Sequence, residues 1–329
     1  MVFGLTKDTK CMTVEANQEY KDLMLYLSDL SSKKSCTKTT WQVWHCHYLS
    51  ILRRMNKLRG LPSTKTVGTL ATLIIQLSLT IENQLGPGSK RAALPTTPPL
   101  PGLTTEDVED AMEFAGLSTI ATHKHIGIDV WETSAAFAAT GQGLCKNYTN
   151  CDACEQEEAD MPFERVLAVS FSRRAFSAAY TSMQSAYMSW HNKDVLSFSL
   201  GLENLPQNKE EQVAFWGKIR DGIVDVGRVS PRPLTRLLLL GDEAHDARFL
   251  EVMRDALGVL IPEFPGSRFG FLETGMFLDP LYVTARGAAE FAKRAQEAPA
   301  SCREPSRCQE LRGPVSGSGQ KSWGSNEEL

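Results

Sequence analysis

The stretch of this sequence best placed to do chemistry is a polar turn that follows a run of leucines. Residues 237–240 are four consecutive leucines, which predicts a short strand buried on both faces of a sheet. Gly241 ends the strand, and the turn continues through Asp242, Glu243 and His245 into a predicted helix. Open α/β sheets bind ligands at the carboxyl ends of their strands, beside a helix amino terminus. The turn is therefore a candidate binding site, and the same residues also fit one more strand–helix unit of a sheet.

A second polar turn lies between two predicted strands, residues 165–171 and 175–180, which together indicate a β-hairpin. The turn consists of Ser172, Arg173 and Arg174. Its two guanidinium groups are able to attract a phosphate group, whereas basic residues on a solvated hairpin turn are more often simply surface. Both interpretations stay open at the level of the residues.

The cysteines offer a third kind of chemistry. Cys151-x-x-Cys154 has the spacing of a zinc-binding pair or of a redox dithiol. A small metal or redox protein would use this pair together with Cys145, Cys302 and Cys308. Because no second pair with ligand spacing accompanies it, two ordinary thiols are the competing interpretation.

Neither the remaining cysteines nor the histidines predict a metal site. Eight cysteines spread over 329 residues are not a disulfide framework, so we expect mostly free thiols in a reducing compartment. His45, Cys46 and His47 are too close together on a predicted helix to supply much of one metal site, which favours a structural role.

Composition excludes several classes of partner. A chain with 42% apolar residues can build a core, and its net charge of −4 gives no electrostatic reason to expect a nucleic-acid partner. No polybasic run indicates an anionic membrane, no apolar segment is long enough to cross a bilayer, and residues 1–10 do not resemble a secretory signal. The sequence therefore predicts a protein of the cytoplasm or nucleus, with cytoplasm preferred.

Apolar periodicity predicts the elements that must position these turns. Residues 92–103 and 126–130 are predicted to be extended, residues 145–160 an acidic loop, and the residues beyond 298 a disordered tail. Thr104 is the predicted cap of the helix that follows it, and Asp279 is the predicted cap of the last helix. Helices are predicted at residues 19–30, 40–58, 67–85, 104–115, 134–140, 210–224 and 277–296, and directly after the Gly241 turn.

The order of these parts resembles a known family. Its successive features are Ala-Gly-Leu at 115–117, Glu-Thr-Ser-Ala-Ala at 132–136, the strand at 165–171, the strand ending at Gly241, and ARGAAEFAK at 285–293. This series resembles the ATPase domain of the heat-shock protein 70 type, within the actin, sugar-kinase and heat-shock superfamily. It is most similar to the divergent fungal members of that family.

The resemblance implies a fold and a domain organisation. The fold would be α/β, a ribonuclease H-like actin or heat-shock ATPase lobe with a mixed sheet flanked by helices and an incomplete first lobe. Residues 66–297 would form this ATPase domain, preceded by a poorly defined helical segment at 1–65 and followed by a tail at 298–329. ATP or ADP with Mg²⁺ is the cofactor that the resemblance implies.

The family's binding motifs are altered in this chain. The family holds phosphates with two glycine-rich hairpins, because only glycine lets backbone N–H groups approach oxyanions closely. The first, a strand followed by Asp-x-Gly-Thr, is not found, and the second, Asp-x-Gly-Gly-Gly-Thr, reads Ser-Phe-Ser-Arg-Arg-Ala at 170–175. The adenosine loop Gly-Gly-Ser-x-Arg reads Gly-Asp-Glu-Ala-His at 241–245, where His245 keeps a ring that can stack. Among the family's catalytic acids, Glu132 alone matches.

Three functions follow as hypotheses. The preferred one is a non-hydrolysing relative of this ATPase domain that binds a protein partner and has weak or no affinity for nucleotide, because phosphoryl transfer needs carboxylates that position the metal. The second is an active ATPase completed by missing amino-terminal sequence or by another chain. The third is the zinc or redox protein built on Cys151-x-x-Cys154.

Overall fold

The computed structural model describes residues 2–3, 10–32, 39–86, 92–120, 130–261 and 278–298. Most of the predicted strand at 126–130 lies outside these residues, as do Cys302, Cys308 and residues 299–329. Within the described residues, the α-helices are α1 Gln18–Ser28, α2 Thr40–Leu58, α3 Lys65–Leu85, α4 Thr105–Phe114, α5 Glu132–Ala139, α6 Cys151–Ala159, α7 Lys209–Gly227, α8 Ala247–Leu260 and α9 Val283–Glu297. The strands are β1 Val2–Phe3, β2 Lys10–Cys11, β3 Ala92–Ala93, β4 Thr96–Thr97, β5 Ser118–Thr119, β6 Val130–Trp131, β7 Glu164–Phe171, β8 Phe176–Met183, β9 Ser189–Ser197 and β10 Arg236–Leu240.

A mixed four-stranded sheet carries the two polar turns. Its strand order is β10-β7-β8-β9, so the first strand of the antiparallel meander β7-β8-β9 is also the neighbour of β10. Helix α7 connects β9 to β10, and β10 pairs parallel to β7 with Leu237 opposite Leu167. A strand that joins the sheet in parallel needs a long crossover connection, usually a helix, because a tight turn can join only antiparallel strands. The prediction of an α/β protein with a mixed sheet is confirmed at this level.

Helices cover both faces of the sheet. Leu237 and Leu239 pack with α7 and α8 on one face, in a core that includes Phe171 and Phe249. Leu238 and Leu240 pack with α5 and α9 on the other face. The run of leucines therefore forms the doubly buried strand that its composition predicts.

The helices α1–α4 form a second region that packs largely on itself. Helix α3 contacts both α1 and α4, and the Gly102 N–H donates to the Leu27 carbonyl at 2.9 Å. Helix α2 joins this region through the Arg53 side chain, which lies between Asp107 and Asp110 of α4. These contacts connect residues on both sides of the predicted boundary at 65.

Several predicted elements are wrong or incomplete. The segment at 145–160 contains helix α6 rather than only a loop, because Asn150 caps it by accepting from the Ala153 N–H. The last helix begins at Val283, and Asp279 instead accepts from the Leu281 N–H in a preceding turn. Strand β9 was not predicted, since its residues are mostly polar and none of them is fully buried.

Within the described part of the chain, every helix is too short or too polar to cross a membrane.

Candidate functional site

The structure brings the two polar turns together at one edge of the sheet. The Glu243 N–H donates to the Phe171 carbonyl at 3.1 Å, so the turn after β10 lies directly beside the hairpin turn between β7 and β8. Gly241 permits this contact, because its φ is +99° and an added Cβ would collide with the Phe171 carbonyl. The turns meet because β10 and β7 are parallel neighbours that end side by side.

The acids of one turn bind the basic residues and N–H groups of the other. The Arg173 N–H donates to the Asp242 carboxylate at 3.1 Å. The Arg173 guanidinium lies 3.8 Å from the Glu243 carboxylate. A backbone N–H that a phosphate would need therefore already has a carboxylate partner within the chain.

The loop after β9 covers the hairpin turn from another side. The Leu202 and Glu203 N–H groups donate to the Ser172 and Arg173 carbonyls at 3.1 Å and 2.9 Å. The Glu203 carboxylate accepts from the Arg174 guanidinium at 2.5 Å. Gly201 lies so close to the Arg174 backbone that a side chain there would collide with it. The second arginine of the turn is thus also paired with an acid.

The amino terminus of α8 is capped by its own sequence. The Asp246 carboxylate accepts from the Phe249 N–H at 2.8 Å, which satisfies one of the N–H groups that helix starts offer to anions. His245, the predicted stacking residue, is exposed beside this cap. The side of this turn that faces the hairpin carries the acids Asp242 and Glu243.

Glu132 lies away from these turns. Ser134, two residues later on α5, donates from its hydroxyl to that of Ser189 at 3.0 Å, and Trp131 stacks on His191. Ser189 pairs with Met183, which is at the opposite end of β8 from the hairpin turn. Seven strand residues span about 23 Å. Among the described residues, no hydrogen bond or ion pair joins Glu132 to either turn.

The surroundings of Glu132 change its titration. Burial raises the pKa of this carboxyl group from 4.5 to about 7, since the neutral form loses less hydration than the charged form. At neutral pH a substantial fraction of this side chain is therefore protonated.

Gly287 has a packing role. An added Cβ at this position would overlap the backbone of Ala135 on α5, so the glycine allows α9 to cross α5 at backbone contact. The small residues of α5 serve the close packing that their composition predicts.

The cysteine cluster lies elsewhere and has a different pairing from the predicted one. Cys154 forms a disulfide with Cys145, nine residues earlier, and not with Cys151. Cys46 and Cys151 are also disulfide-bonded, whereas Cys11 is free. The expectation of mostly free thiols is therefore wrong for the described cysteines. Glu158 lies beside the Cys145–Cys154 pair, with its carboxylate 3.7 Å from the Cys154 sulfur.

The edge formed by the two turns does not fit Mg-ATP. Phosphate binding by a glycine-rich hairpin needs open N–H groups, and here the Arg173 N–H is bonded to Asp242. Metal positioning needs carboxylates free to coordinate, and Glu243 and Glu203 face arginines instead.

Sequence reasoning missed part of this arrangement. Asp246 before an apolar periodic run is a recognisable helix cap, so that signal was present. The loop at 201–205 carries no motif, and its position over the hairpin depends on the unpredicted strand β9.

Comparison with known proteins adds no relative. A scan against protein-family models matches no family, and a search of curated proteins finds no match.

Proposed function

We propose that this chain is a divergent, non-hydrolysing relative of the heat-shock protein 70-type ATPase domain, which acts by binding a partner protein. The observation that carries the proposal is the closed edge of the sheet, where Asp242 accepts from the Arg173 N–H at the position of the family's second phosphate hairpin. The chain keeps the scaffold of the family's nucleotide site, but its own carboxylates bind the donors that would otherwise hold a phosphate.

The sheet topology supports the fold in this proposal. An antiparallel meander, a crossover helix and a further strand parallel to the first strand of the meander form the arrangement expected of a ribonuclease H-like lobe. The close crossing of α5 and α9 at Gly287 involves two of the segments that carry the resemblance, 132–136 and 285–293.

The distribution of charge supports the absence of hydrolysis. The one matching catalytic acid, Glu132, lies at the other end of the sheet and is substantially protonated at neutral pH. Phosphoryl transfer depends on a metal and on donors placed together around the phosphates. Asp242 and Glu243, the acids that do lie near the hairpin, would repel a triphosphate.

Nucleotide titration tests this proposal. The full chain is unfolded thermally with and without Mg-ATP and Mg-ADP, and phosphate release is followed in parallel. A ligand at 100 times its Kd would stabilise the fold by about 2.7 kcal/mol, so a binding event is easily seen. We expect no turnover and little or no stabilisation. Phosphate release at the rate of a heat-shock ATPase would overturn the proposal and favour the completed-ATPase hypothesis.

A double variant examines the role given to the acids. Asp242→Asn with Glu243→Gln removes both charges and keeps the side-chain size, so Mg-ATP should stabilise this variant more than the original chain. Glu210→Gln with Glu211→Gln, at exposed positions at the start of α7, is the matched control. Equal responses of the double variant and the original chain would contradict the blocking role of Asp242 and Glu243.

A redox function is the second candidate, and the Cys145–Cys154 disulfide is the observation that favours it. Disulfides are rare in the reducing cytoplasm, so in that location a dithiol would reduce this bond to two thiols and itself become a disulfide. Differential alkylation after acid quenching of cells measures the thiol state. A pair that changes state with oxidant supports this candidate, and a pair that stays in one state excludes it.

Zinc is the metal version of this candidate. After reduction, Cys145, Cys154 and Glu158 would offer ligand atoms within 4.8 Å of one another. Metal analysis of the reduced protein after incubation with zinc should show one equivalent if this version holds, and Cys154→Ser should remove it.

A further inference from the structure

One face of α2 carries a continuous apolar stripe that the described protein leaves uncovered. Its residues recur at alternating intervals of three and four, and their exposed fractions lie between 40% and 82%. Single exposed apolar residues are ordinary, but a contiguous stripe marks an interaction surface. This α2 stripe consists of Trp41, Trp44, Tyr48, Ile51, Met55 and Leu58.

Contacts on the opposite face of α2 keep the stripe at the surface. The Arg53 guanidinium is buried and donates to Asp110 at 2.7 Å and to Asp107 at 2.9 Å. The Asn56 side chain donates to the Ser63 carbonyl at 3.2 Å on the same side. Turning the stripe inward would break these contacts of buried charged groups, so the stripe is a fixed outer surface.

The spacing of the stripe matches one partner helix. Alternating steps of three and four residues give an average period of 3.5, which is the seam of a two-helix coiled coil. The seam runs along about 26 Å of helix, at 1.5 Å per residue. A helix laid along α2 would therefore meet every residue of the stripe.

The charges beside the stripe select the kind of helix. Helix α2 contains no acidic residue. Arg54 and Arg59 lie at the flanking positions of the seam, where helix pairs form interhelical ion pairs, and His45 and His47 occupy further flanking positions. A second copy of α2 would place basic residues against basic residues, whereas an acidic helix would pair with them.

The area of the stripe is sufficient for a specific complex. Aromatic side chains cover about 150–250 Å² each, so the exposed parts of the stripe present on the order of 500–800 Å². A standard protein interface buries about 800 Å² on each partner. A helix that also contacts the flanking residues would reach this range.

We propose that the α2 stripe docks an amphipathic helix of a partner protein, and that this helix carries glutamate or aspartate beside its own apolar seam. The inference rests on the proposed function only in taking partner binding as the activity, and nucleotide titration tests that function separately. Tryptophan and tyrosine supply the central contacts, as at many protein interfaces. Ion pairs to Arg54 and Arg59 set the preference for acidic partners.

Two designed peptides test the proposal with the full chain. Both have leucine at the seam positions and equal length, but one has glutamate and the other lysine at the flanking positions. Fluorescence anisotropy should show binding of the glutamate peptide at least tenfold tighter than of the lysine peptide. Equal binding of the two peptides, or binding of neither, would overturn the proposal.

Variants locate the binding surface. Trp44→Ser with Tyr48→Ser should abolish binding of the glutamate peptide, whereas Trp190→Ser, at an exposed tryptophan of β9, should leave it unchanged. Arg54→Glu with Arg59→Glu should reverse the preference between the two peptides. Circular dichroism checks that each variant keeps its helix content.

Sedimentation equilibrium tests whether a second copy of the chain covers the stripe instead. A dimer of the original chain that becomes monomeric in the Trp44→Ser, Tyr48→Ser variant would overturn the proposal.

Discussion

The sheet region and the region of helices α1–α4 have different kinds of interior. The sheet has two large apolar cores, one on each face, with aromatic contacts such as the stacked rings of Phe171 and Phe249. The helical region has small separate apolar clusters, and buried charges lie among them. The sheet region is therefore held mainly by its apolar cores, whereas the helical region depends on the buried pairs of Arg53 with Asp107 and Asp110.

The difference teaches where each region is vulnerable. Apolar cores resist changes of pH and salt but do not tolerate changes of shape. Buried ion pairs tolerate little loss of a partner, because the remaining charge is left without compensation. The helical region also leaves the α2 stripe in water, so its apolar surface is less completely used within the described chain.

The largest expected effect is a steric clash in the sheet region. Gly287→Val places a branched side chain where α9 touches the Ala135 backbone, and the two helices must separate. We expect a loss of more than about 4 kcal/mol in the free energy of unfolding, because backbone cannot move aside cheaply. Urea denaturation followed by circular dichroism measures it. Gly217→Ala on α7, with open space around the position, should change the stability by about 1 kcal/mol or less.

The next largest effect is the loss of a buried charge in the helical region. Arg53→Met removes one partner of Asp107 and one partner of Asp110 and should destabilise this region by about 3–5 kcal/mol. Hydrogen exchange should show faster exchange in α2 and α4 and unchanged protection in β7 and β8. Arg54→Met, at the exposed neighbouring position, is the control. Equal loss of protection in both regions would contradict their independence.

Low pH should destabilise the same helical region. Burial acts to raise the pKa of Asp110, but hydrogen bonds from Lys57, Ser63 and Arg53 outweigh it, so that the pKa is lowered. A lowered native pKa contributes stability above the unfolded pKa, and this contribution is lost as the pH falls through the native pKa. Protection of α2 and α4 should therefore decrease as acid protonates Asp110, and a protection that is constant into strong acid would contradict this account.

A smaller effect of opposite sign belongs to the sheet region. Because the pKa of Glu132 is raised to about 7, the native state binds more protons than the unfolded state between its ordinary value of 4.5 and that value. The free energy of unfolding therefore falls as the pH rises through this window. Glu132→Gln should stabilise the protein by about 1–3 kcal/mol at pH above 7 and hardly at all near pH 4. Thermal unfolding across this range measures the difference, and Glu211→Gln, at an exposed position, should leave the pH profile unchanged.

The smallest expected effect lies at the surface of the candidate site. Arg174→Gln removes the ion pair with Glu203, which is substantially exposed, and should cost about 0–1 kcal/mol. Differential scanning calorimetry at low and high salt measures it, and the difference should shrink at high salt. A loss of several kcal/mol would mean that the loop at 201–205 holds the hairpin far more strongly than its contacts indicate.

Much of the fold could be predicted from local signals. Helix α2 begins and ends where its apolar spacing indicates, and Thr104 caps α4 in a reciprocal capping box with Asp107. The leucine run predicts the buried strand correctly, because a parallel strand that is covered on both faces is apolar along nearly its whole length. Helix α6 was missed because it consists of two cysteines, two alanines and five polar residues, so no large apolar side chain recurs to mark it.

The candidate site was only half predictable. The hairpin and the Gly241 turn were found because each has its own local pattern. Their pairing through Asp242 and Arg173, which are 69 residues apart, depends on strand order, and sequence spacing does not determine that. The same limit applies to Arg53, whose partners are more than fifty residues away on a different helix.

The crossing of α9 over α5 has a consequence for inheritance. Every codon for glycine begins with two guanines, so any single-base missense change at position 287 introduces a residue with at least one additional carbon. Each such carbon would enter the space of the Ala135 backbone. Populations carrying this gene should therefore keep only synonymous variation at that codon, for as long as the protein is under selection to fold.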